Sequence, residues 1–470
     1  MTWTHPLAPD VDEPADVLGG KARGLIELHR LGLPVPPGFV IGTPACRAFL
    51  RDGRLPDGLA AELDAAVADL ETATGRRLGG PARPLALAVR SGGAVSMPGM
   101  MSTILNLGLT TEATAALAAE TGDAPFAHDS RRRFLESLTA ATSGVPMAAR
   151  VEVPEDARGQ LELAVRTVFA SWNTARAKTY RAIHGIPDGS GTAVTVQAMV
   201  FGNRDGRSGT GVAFSRDPGT GEPVPFGEVL FGGQGEDVVS GRSSPLRLSA
   251  LADREPEVQA ALLDALRRIE GRYRDACHVE FTFESGALWL LQVRAGGLAG
   301  RAAVRVAVDL ADAGVIDRGE AVRRVSPHDL RHARAPRLDT AGLDVLARGV
   351  GASPGVATGR VATTADDAVR MAAEGPVVLV RPQTSPLDMH GLAAAAGVVT
   401  AVGGTTSHAA VVARSMGKPA VVGARGLDVP AGALVTIDGT GGEVVAGRAP
   451  AAEAANPHLA RLLEWADASG

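Results

Sequence analysis

Cysteine is nearly absent from this chain of 470 residues, which contains two, Cys46 and Cys277. They are far apart in the sequence and lack the close spacing of metal-binding cysteines. We therefore expect both to be small residues of a hydrophobic core, in a protein of a reducing, cytoplasmic compartment. The acidic N-terminus, MTWTHPLAPDVDEP, also lacks the apolar segment of a secretory signal peptide.

The sequence also lacks a strong excess of charge of one sign. The net charge is −5 and the basic residues are scattered, so we expect no nucleic-acid-binding and no membrane-binding surface. The stretch from Met389 to Ala413 has no Asp, Glu, Lys or Arg and is long enough to span a bilayer. Because it contains Gly-Gly, Thr-Thr-Ser and two histidines, it is better explained as strand, turn and helix in a buried α/β core.

The remaining composition is that of an ordinary globular protein, with enough residues for two or three domains. Residues 1–297 mix helices and strands with glycine-rich loops. For residues 298–345 the sequence predicts a linker that is helical at first and has no regular secondary structure in the segment SPHDLRHARAPRLD. Residues 346–450 alternate short apolar runs with glycines, which is typical of a compact α/β or β-rich domain, and residues 451–470 predict one helix.

Two patterns in the first segment predict local structure. KARGLIELHRLG has apolar residues at helical spacing, and Gly32 marks the end of that helix. CHVEFTFESGALWLLQVR predicts a hairpin of two strands that turn at Ser285 and Gly286.

The most prominent histidine of the chain lies in the run GGTTSHAAVVARSMGKPAVVG, residues 403–423. Either Thr406 or Ser407 is predicted to cap a helix that ends near Gly417, which places His408 in its first turn. The backbone N–H groups and the dipole at that end of a helix favour an anion. A neutral imidazole there is a good nucleophile towards a phosphoryl group, although an isolated histidine at this position would more simply help to cap the helix.

This run resembles the phosphohistidine motif of the pyruvate, phosphate dikinase family, Gly-Gly-x-Thr-Ser-His-Ala-Ala-Val-Val-Ala-Arg. The residues that match it are Gly403, Gly404, Thr406, Ser407, His408 and Arg414. The segment TSPLD, residues 384–388, resembles the Thr-Ser-Pro-x-Asp turn of the same swivelling domain. The resemblance implies that His408 carries a phosphoryl group between two distant sites.

The first segment carries the same resemblance independently. GGKARGLIELHRLGLPVPPGF places Lys21 after two glycines at a helix start, a geometry that suits phosphate. AVRSGGAVSMPGMMSTILNLGL, residues 88–109, resembles the loop that covers the phosphates in the ATP-grasp domain of the family. The resemblance assigns nucleotide contacts to Arg90, Gly99, Met100 and Met101, whereas a methionine pair would otherwise be core. The residue sequence of this loop, Ser-Met-Pro-Gly-Met-Met, resembles that of the dikinase, which uses inorganic phosphate, more than that of phosphoenolpyruvate synthase, which uses water.

Two further segments are similar to parts of the family's nucleotide site. FAHDSRRRF places Arg132 or Arg133 near the polyphosphate, and an exposed basic helix face is an equally good interpretation. GQGEDVVSG, residues 233–241, supplies Gln234 and Glu236 near the nucleotide, and this assignment depends entirely on the resemblance.

The predicted hairpin carries the residues that the resemblance assigns to metal and phosphate binding. Glu280 and Gln292 match the family's ligands for Mg²⁺ and phosphate, and Arg294 would stabilise the charge of the transferring phosphoryl group. The family has an aspartate two residues before this glutamate, where this chain has His278. Either Mg²⁺ depends on Glu280, Gln292 and waters, or the preferred metal has changed, or the nucleotide site is weakened.

The fold class that follows from the resemblance is α/β (α+β). We expect an ATP-grasp-type nucleotide-binding domain at 1–297, a helical linker at 298–345 and a swivelling phosphohistidine β/α domain at 346–450. Residues 451–470 resemble the helix that leads into the barrel where the family binds phosphoenolpyruvate and pyruvate. The barrel itself has no counterpart in this sequence, so we expect its acceptor site on a partner protein.

The resemblance implies a phosphotransferase with Mg²⁺ and ATP as cofactors. ATP would phosphorylate His408 with consumption of inorganic phosphate and release of AMP and pyrophosphate, and a separate barrel protein or another acceptor enzyme would receive the phosphoryl group. One alternative is a dikinase that phosphorylates an antibiotic or another small molecule. The other is a catalytically silent, nucleotide-binding regulatory module. Thr406 matches the position of a regulatory phosphothreonine in plant members.

Overall fold

A computed structural model describes residues 2–95, 97, 100–143, 153–235, 237, 245–298, 300–334, 337–338, 342–404, 407–452 and 456–468. These residues form two compact units. The first comprises Met1–Arg204 with Leu288–Val293, and the second comprises Asp205–Ala287 with Arg294–Gly470. Each unit combines helices with antiparallel or mixed sheet, so the expected mixed α/β class is confirmed.

The first unit is built on a five-stranded antiparallel sheet. The first strands of the described chain are, in chain order, β1 (Thr4–Pro6), β2 (Gly38–Ile41), β3 (Arg77–Leu78), β4 (Pro84–Leu85), β5 (Leu87–Gly92), β6 (Thr103–Leu107) and β7 (Ala193–Ala198), and five of them form this sheet. The helices of the first unit are α1 (Ala15–Arg30), α2 (Thr43–Asp52), α3 (Leu59–Thr74), α4 (Thr111–Thr121), α5 (Ala124–Thr142), α6 (Ala157–Ser171) and α7 (Ala175–His184). The large sheet has the order β1-β2-β7-β5-β6, and β3 and β4 form a separate pair.

One hydrophobic core holds this first unit together. Apolar side chains of β2, β5 and β7, among them Ile41, Leu87 and Val194, pack against the buried face of α6 around Phe169. Cys46 of α2 lies in the same cluster, and burial raises the pKa of its thiol to about 12. Cys277 is likewise buried, so the prediction that both cysteines are core residues is confirmed.

Next in the chain comes another five-stranded sheet, whose residues belong to the second unit except for Leu288–Val293, which belong to the first. Its strands are β8 (Gly209–Phe214), β9 (Phe226–Phe231), β10 (Leu246–Arg247), β11 (Cys277–Glu284) and β12 (Ala287–Ala295), in the order β10-β9-β8-β11-β12. Ser285 and Gly286 have φ values of 50° and 81°, which are typical of a two-residue hairpin turn. The predicted hairpin is therefore confirmed. Alternate residues of β11, namely Val279, Phe281 and Phe283, are buried on one face of the sheet.

An eight-stranded sheet dominates the rest of the second unit. The remaining strands are β13 (Arg337–Leu338), β14 (Val345–Arg348), β15 (Val350–Ser353), β16 (Val356–Ala362), β17 (Val377–Arg381), β18 (Gly397–Thr400), β19 (Ala420–Val422), β20 (Leu434–Asp438), β21 (Glu443–Ala446) and β22 (Ala451–Ala452). The helices are α8 (Leu251–Arg254), α9 (Pro256–Tyr273), α10 (Gly300–Asp312), α11 (Arg318–Arg324), α12 (Pro327–Ala333), α13 (Ala365–Ala372), α14 (Met389–Ala394), α15 (His408–Ser415) and α16 (Pro457–Asp467).

The centre of this sheet is parallel and its margins are antiparallel. The strand order is β14-β21-β20-β16-β17-β18-β19-β15, and β16, β17, β18 and β19 run parallel with one helix between each pair. The uncharged stretch from Met389 to Ala413 is divided among α14, β18 and α15, as its composition predicts. Among the described residues, no helix is both long enough and apolar enough to cross a membrane.

The linker region is more ordered than its sequence suggests. The segment SPHDLRHA, expected to be irregular, forms α12, so that expectation was wrong. Ser326 caps this helix by accepting a hydrogen bond from the Asp329 backbone N–H at 3.1 Å. The Asp329 carboxylate in turn accepts a hydrogen bond from the Ser326 backbone N–H at 3.1 Å. This reciprocal capping box was present in the sequence as Ser-x-x-Asp.

The C-terminal helix packs back onto the linker helices. Leu459, Leu462 and Trp465 of α16 form one hydrophobic cluster with Val304 and Val308 of α10 and with residues of α11. The helix begins only at Pro457, because Ala451–Ala452 pairs with Arg337–Leu338 as a short antiparallel ribbon. The domain boundaries predicted from the sequence remain a prediction.

We expect Trp465→Ala to destabilise the cluster between α16 and the linker helices. Trp465 is 7% exposed, and truncation of a buried aromatic residue to alanine costs about 3 kcal/mol or more. Denaturant unfolding followed by circular dichroism should show an earlier transition. Glu464→Ala, on the exposed side of the same helix, is the control and should change stability by less than about 0.5 kcal/mol. Equal effects of the two substitutions would contradict this packing.

Candidate functional site

His408 lies where two loops leave the same edge of the parallel sheet. Strand β17 ends at Arg381 and β18 ends at Thr400, and these two residues are paired in register. The loop after β17 carries the TSPLD segment, and the loop after β18 leads into α15. Because the carboxyl ends of parallel strands face a common crevice, the topology brings both motifs together.

One hydrogen bond fixes the imidazole ring. The Thr384 hydroxyl lies 3.1 Å from His408 Nδ1, so this ring nitrogen already has a partner. In the tautomer in which Nδ1–H donates to this hydroxyl, the lone pair of the ring lies on Nε2. Of the two predicted capping residues, Ser407 is the N-cap, and its hydroxyl oxygen accepts from the Ala410 backbone N–H at 3.5 Å. Thr406 lies outside the described residues.

The surroundings of His408 favour its neutral form. Burial lowers the pKa of His408 below its ordinary value of 6.5, and the nearby Asp388 carboxylate opposes this shift. Asp388 is itself 8% exposed and is held by the Ser385 backbone N–H at 2.8 Å and by Arg381 at 3.4 Å. A neutral imidazole has the lone pair that a nucleophile requires.

Arg414 has a supporting position in the same helix. Its Nη1 donates a hydrogen bond to the Ala352 carbonyl at 2.8 Å, which ties α15 to β15. Burial lowers the pKa of this guanidinium. The arginine of the motif therefore anchors the helix that carries His408.

In the first unit, the structure brings Lys21 against the glycine-rich loop that follows β5. Gly19 has a φ of 78°, and a Cβ atom there would lie 1.9 Å from the Gly92 carbonyl oxygen. Gly20 N–H donates to the Gly93 carbonyl at 3.0 Å. The first of the two glycines before Lys21 is thus required for the close approach of two backbone segments, whereas a Cβ atom on Gly20 would make only ordinary contacts. Lys21 itself lies beside this loop, since a Cβ atom on Gly92 would lie 3.4 Å from Lys21 Cβ.

Arg90 contacts the strand that carries Gln292. Arg90 Nη1 donates to the Leu291 carbonyl at 3.2 Å, next to Gln292 on β12. Gln292 is 5% exposed, and its Nε2 has no hydrogen-bond partner among the described residues. A buried amide donor without a partner is costly, and a phosphate oxygen would satisfy it.

The methionine pair has a structural role in the described part of the chain. Met100 and Met101 are partly buried and pack against a cluster formed by Met97, Trp172 and Ala177. This arrangement fits the core interpretation, and their assignment to the nucleotide stays a prediction. Gly99 lies outside the described residues.

The remaining predicted nucleotide contacts are distributed over both units. Gln234 is 2% exposed, and its backbone N–H donates to Asp237 at 2.9 Å, whereas Glu236 lies outside the described residues. On α5, Arg132 is exposed and pairs with Glu136 at 2.6 Å, and Arg133 pairs with Asp129 at 2.7 Å. These intrahelical ion pairs favour the interpretation of this run as a solvated basic face.

Glu280 and His278 lie on β11 and point to the same face of its sheet, since they are two residues apart. Burial lowers the pKa of His278 to about 4, and the positive charge of Arg294 contributes. The ring lies against Phe214 with a centroid separation of 5.2 Å. His278 is therefore uncharged at neutral pH and adds no positive charge beside Glu280.

The protein groups available for a metal are few. Across the described ranges, no group of three or more His, Cys, Asp or Glu side chains could hold a metal ion. Glu280 and Gln292 nevertheless supply oxygen atoms, the donor type that Mg²⁺ prefers, and Mg²⁺ is often held by one or two protein ligands plus substrate phosphates and waters. The residues present fit a metal that arrives with the nucleotide.

The family of the chain follows from comparison with known proteins. A family model described as "Pyruvate phosphate dikinase, AMP/ATP-binding domain" matches residues 15–77 and 52–260, which together make up more than half of the chain. The chain belongs to the pyruvate, phosphate dikinase family. A second model, "PEP-utilising enzyme, mobile domain", matches residues 373–442, a range that contains His408.

Similar curated proteins are whole dikinases that are longer than this chain. A pyruvate, phosphate dikinase of Rhizobium meliloti (strain 1021) is 41% identical over 97% of this chain and 59% of its own length. Pyruvate, phosphate dikinase 2 of Oryza sativa subsp. japonica is 41% identical over 96% of this chain and 58% of its own length. The chain therefore spans less than two thirds of these relatives. A solution structure of Enzyme I is 31% identical over 20% of this chain and 37% of that chain, and its TM-score of 0.14 supports no comparison of folds.

We expect the pKa of His408 to lie below 6.5, because burial disfavours its charged form. The neutral, nucleophilic ring should persist as the pH falls below 6.5 and be lost as the pH passes through the lowered pKa. The measurement is a ¹³C-detected titration of the imidazole Cε1 resonances, with His408→Gln identifying the peak. A midpoint above 6.5 would contradict the buried, neutral assignment.

Proposed function

We propose that this chain carries out the ATP-dependent half of a dikinase reaction, in which a phosphoryl group is transferred to His408. The observation that supports it most is the state of His408. The ring is neutral, Nδ1 is bonded to Thr384, and Nε2 remains at the N-terminal end of α15. A phosphoryl group on Nε2 would lie near the backbone N–H groups and the positive end of the helix dipole.

The proposed chemistry proceeds in two substitutions at phosphorus. The Nε2 lone pair attacks the β-phosphorus of ATP, the bond from that phosphorus to the oxygen shared with the α-phosphate breaks, and AMP leaves. An oxygen of inorganic phosphate then attacks the outer phosphorus of the pyrophosphoryl group on His408. The bond between that phosphorus and its bridging oxygen breaks, pyrophosphate leaves, and phosphohistidine remains.

Five residues are the proposed nucleotide-binding set, taken here unit by unit. In the first unit, Lys21 and Arg90 supply positive charge for the phosphates, and the buried amide of Gln292 donates to a phosphate oxygen. In the second unit, Glu280 is the proposed Mg²⁺ ligand and Arg294 the proposed partner of the transferring phosphoryl group. Mg²⁺ bound with the nucleotide would neutralise phosphate charge.

Delivery of the phosphoryl group is proposed to occur at a site outside this sequence. The segments that flank His408 expose apolar side chains, with Leu387 85%, Val411 41% and Met389 39% exposed. Apolar exposure around a reactive group suits docking on a protein surface rather than permanent contact with solvent. The proposed acceptor is a separate barrel protein that binds pyruvate, and residues 346–450 are the proposed swivelling domain.

The test is phosphoryl trapping with ATP labelled at the β-phosphate. We expect wild type with Mg²⁺ and inorganic phosphate to acquire acid-labile, base-stable label and to release AMP. His408→Ala should acquire none, whereas the control His390→Ala, an exposed histidine bonded to Asp366, should be labelled as wild type. Tight ATP binding without label would support a regulatory module instead. Label on the His408→Ala variant would refute the assignment of the phosphoacceptor.

A further inference from the structure

Two histidines of the linker region lie one helical turn apart. His328 and His332 are on α12, and among the ten histidines of the sequence they are the only two that are four residues apart. Residues at this spacing share one face of a helix. Their imidazole rings accordingly pack together, with ring centroids 4.0 Å apart and an angle of 63° between the ring planes. The two rings therefore form a pair on one side of α12.

The ring nitrogens of the pair converge beside Gly417. A Cβ atom on Gly417 would lie 3.0 Å from His332 Nε2 and 3.5 Å from His328 Nε2, so both nitrogens lie within 3.5 Å of one point. That point is not occupied by a side chain, because residue 417 is glycine. His408 begins α15 and Gly417 comes just after its last turn, and the eight-residue helix is about 12 Å long. The pair thus lies at the end of α15 that is opposite to the proposed phosphoacceptor.

Contacts of α12 hold the pair in position. The capping box of Ser326 and Asp329 fixes the first turn of the helix, and the Asp329 carboxylate also accepts a hydrogen bond from the Gly300 backbone N–H at 3.0 Å. A Cβ atom on Gly300 would lie 2.9 Å from His332 Cβ, so α12 packs closely on the start of α10. The pair is therefore carried by an anchored helix, and the nearest carboxylate is already engaged in the helix cap.

The surroundings of the pair suit a bound cation. Burial lowers the pKa of His332 below its ordinary value of 6.5, and the neighbouring His328 lowers it further, so the His332 ring has a free lone pair at neutral pH. His328 is exposed, which gives an ion a path from solvent. Lys418, the residue after Gly417, has its ammonium group engaged elsewhere, because its Nζ donates to the Ala395 carbonyl at 2.6 Å.

We propose that His328 and His332 bind one borderline divalent cation, of which Zn²⁺ is the representative, between α12 and the C-terminal end of α15. Imidazole nitrogen is a suitable ligand for Zn²⁺, Ni²⁺ and Cu²⁺, and two histidines four residues apart on one helix face are an arrangement that binds zinc. A bond from Zn²⁺ to nitrogen is about 2.0–2.1 Å long, so small rotations of the rings bring both nitrogens onto one ion. Water completes the coordination, because no third His, Cys, Asp or Glu joins the pair within the described residues.

This site is separate from the proposed magnesium site of the nucleotide. Mg²⁺ prefers oxygen ligands and is a poor match for two imidazoles. The ion would lie beside the linker helix and beside the last turn of the helix that carries His408. The inference does not rest on the proposed function, since no step of phosphoryl transfer enters the argument.

Calorimetric titration with Zn²⁺ tests the site. The chain without an affinity tag should bind one ion, in a buffer free of nucleotide and phosphate because both bind zinc, and an excess of Mg²⁺ should not displace it. His328→Ala and His332→Ala should each weaken binding about tenfold or more, because each removes one of the two protein ligands. The matched control is His390→Ala, which removes an exposed histidine bonded to Asp366 and should bind Zn²⁺ as wild type does.

A pair of glycine substitutions tests whether the ion lies next to α15. In Gly417→Ala the new Cβ atom would lie 2.8 Å from His332 Cε1, so the ring must move, and binding of Zn²⁺ should weaken about tenfold. Gly426→Ala is the matched control, because Gly426 has a similar φ, 76° against 64°, and no atom within 4 Å of its Cβ position. It carries the same backbone strain and should bind Zn²⁺ as wild type does.

A spectroscopic measurement on wild type needs no variant to fold. With one equivalent of Cu²⁺, the electron paramagnetic resonance spectrum should show hyperfine structure from two imidazole nitrogens. A spectrum without two nitrogen ligands, or absence of Zn²⁺ binding to wild type, would overturn the proposal.

The variants decide where the ion is bound. Loss of Zn²⁺ binding confined to the His328, His332 and Gly417 variants would establish the site. An equal loss in His390→Ala, or unchanged binding by Gly417→Ala, would overturn it. Because these measurements use no ATP, a failure to label His408 would refute the proposed function and leave this test intact.

Discussion

The hydrogen bond between Thr384 and His408 Nδ1 is the contact on which the proposed chemistry depends. It occupies one ring nitrogen and fixes the plane of the imidazole, and in the proposed chemistry the other nitrogen is the nucleophile. Burial of the ring keeps it neutral, and the nearby Asp388 carboxylate limits how far its pKa falls. Without this contact, a histidine in the first turn of α15 would retain rotamer freedom and offer either nitrogen to a phosphoryl group.

The parallel strands explain how two distant sequence segments make this contact. The register of β17 and β18 aligns their carboxyl ends, so the loops that follow must share one crevice. In the first unit the equivalent constraint is the approach of Gly19 to Gly92, which places Lys21 beside the glycine-rich loop. In both places, a backbone arrangement determines the position of the functional side chain.

Local features were predictable from the sequence, whereas contacts between segments were not. The Ser285–Gly286 turn follows from a glycine in a two-residue loop between two apolar runs, and the cap of α15 follows from a hydroxyl residue before an apolar run. The capping box of Ser326 and Asp329 is equally visible in the sequence, but the prediction of an irregular segment overlooked it. The approach of Gly19 to Gly92 had no local signal, because it depends on the packing of α1 against β5. Likewise, nothing in the spacing of Trp465 shows that α16 packs on the linker helices.

The most direct measurement is the identity of the phosphorylated ring nitrogen. A ¹H–¹⁵N long-range correlation spectrum of ¹⁵N-histidine-labelled protein, recorded after incubation with ATP, Mg²⁺ and inorganic phosphate, distinguishes the two isomers of phosphohistidine. With Nδ1 held by Thr384, the phosphoryl group should be found on Nε2 of His408. Phosphate on Nδ1 of His408 would contradict the account, since the nitrogen bonded to Thr384 would then be the nucleophile.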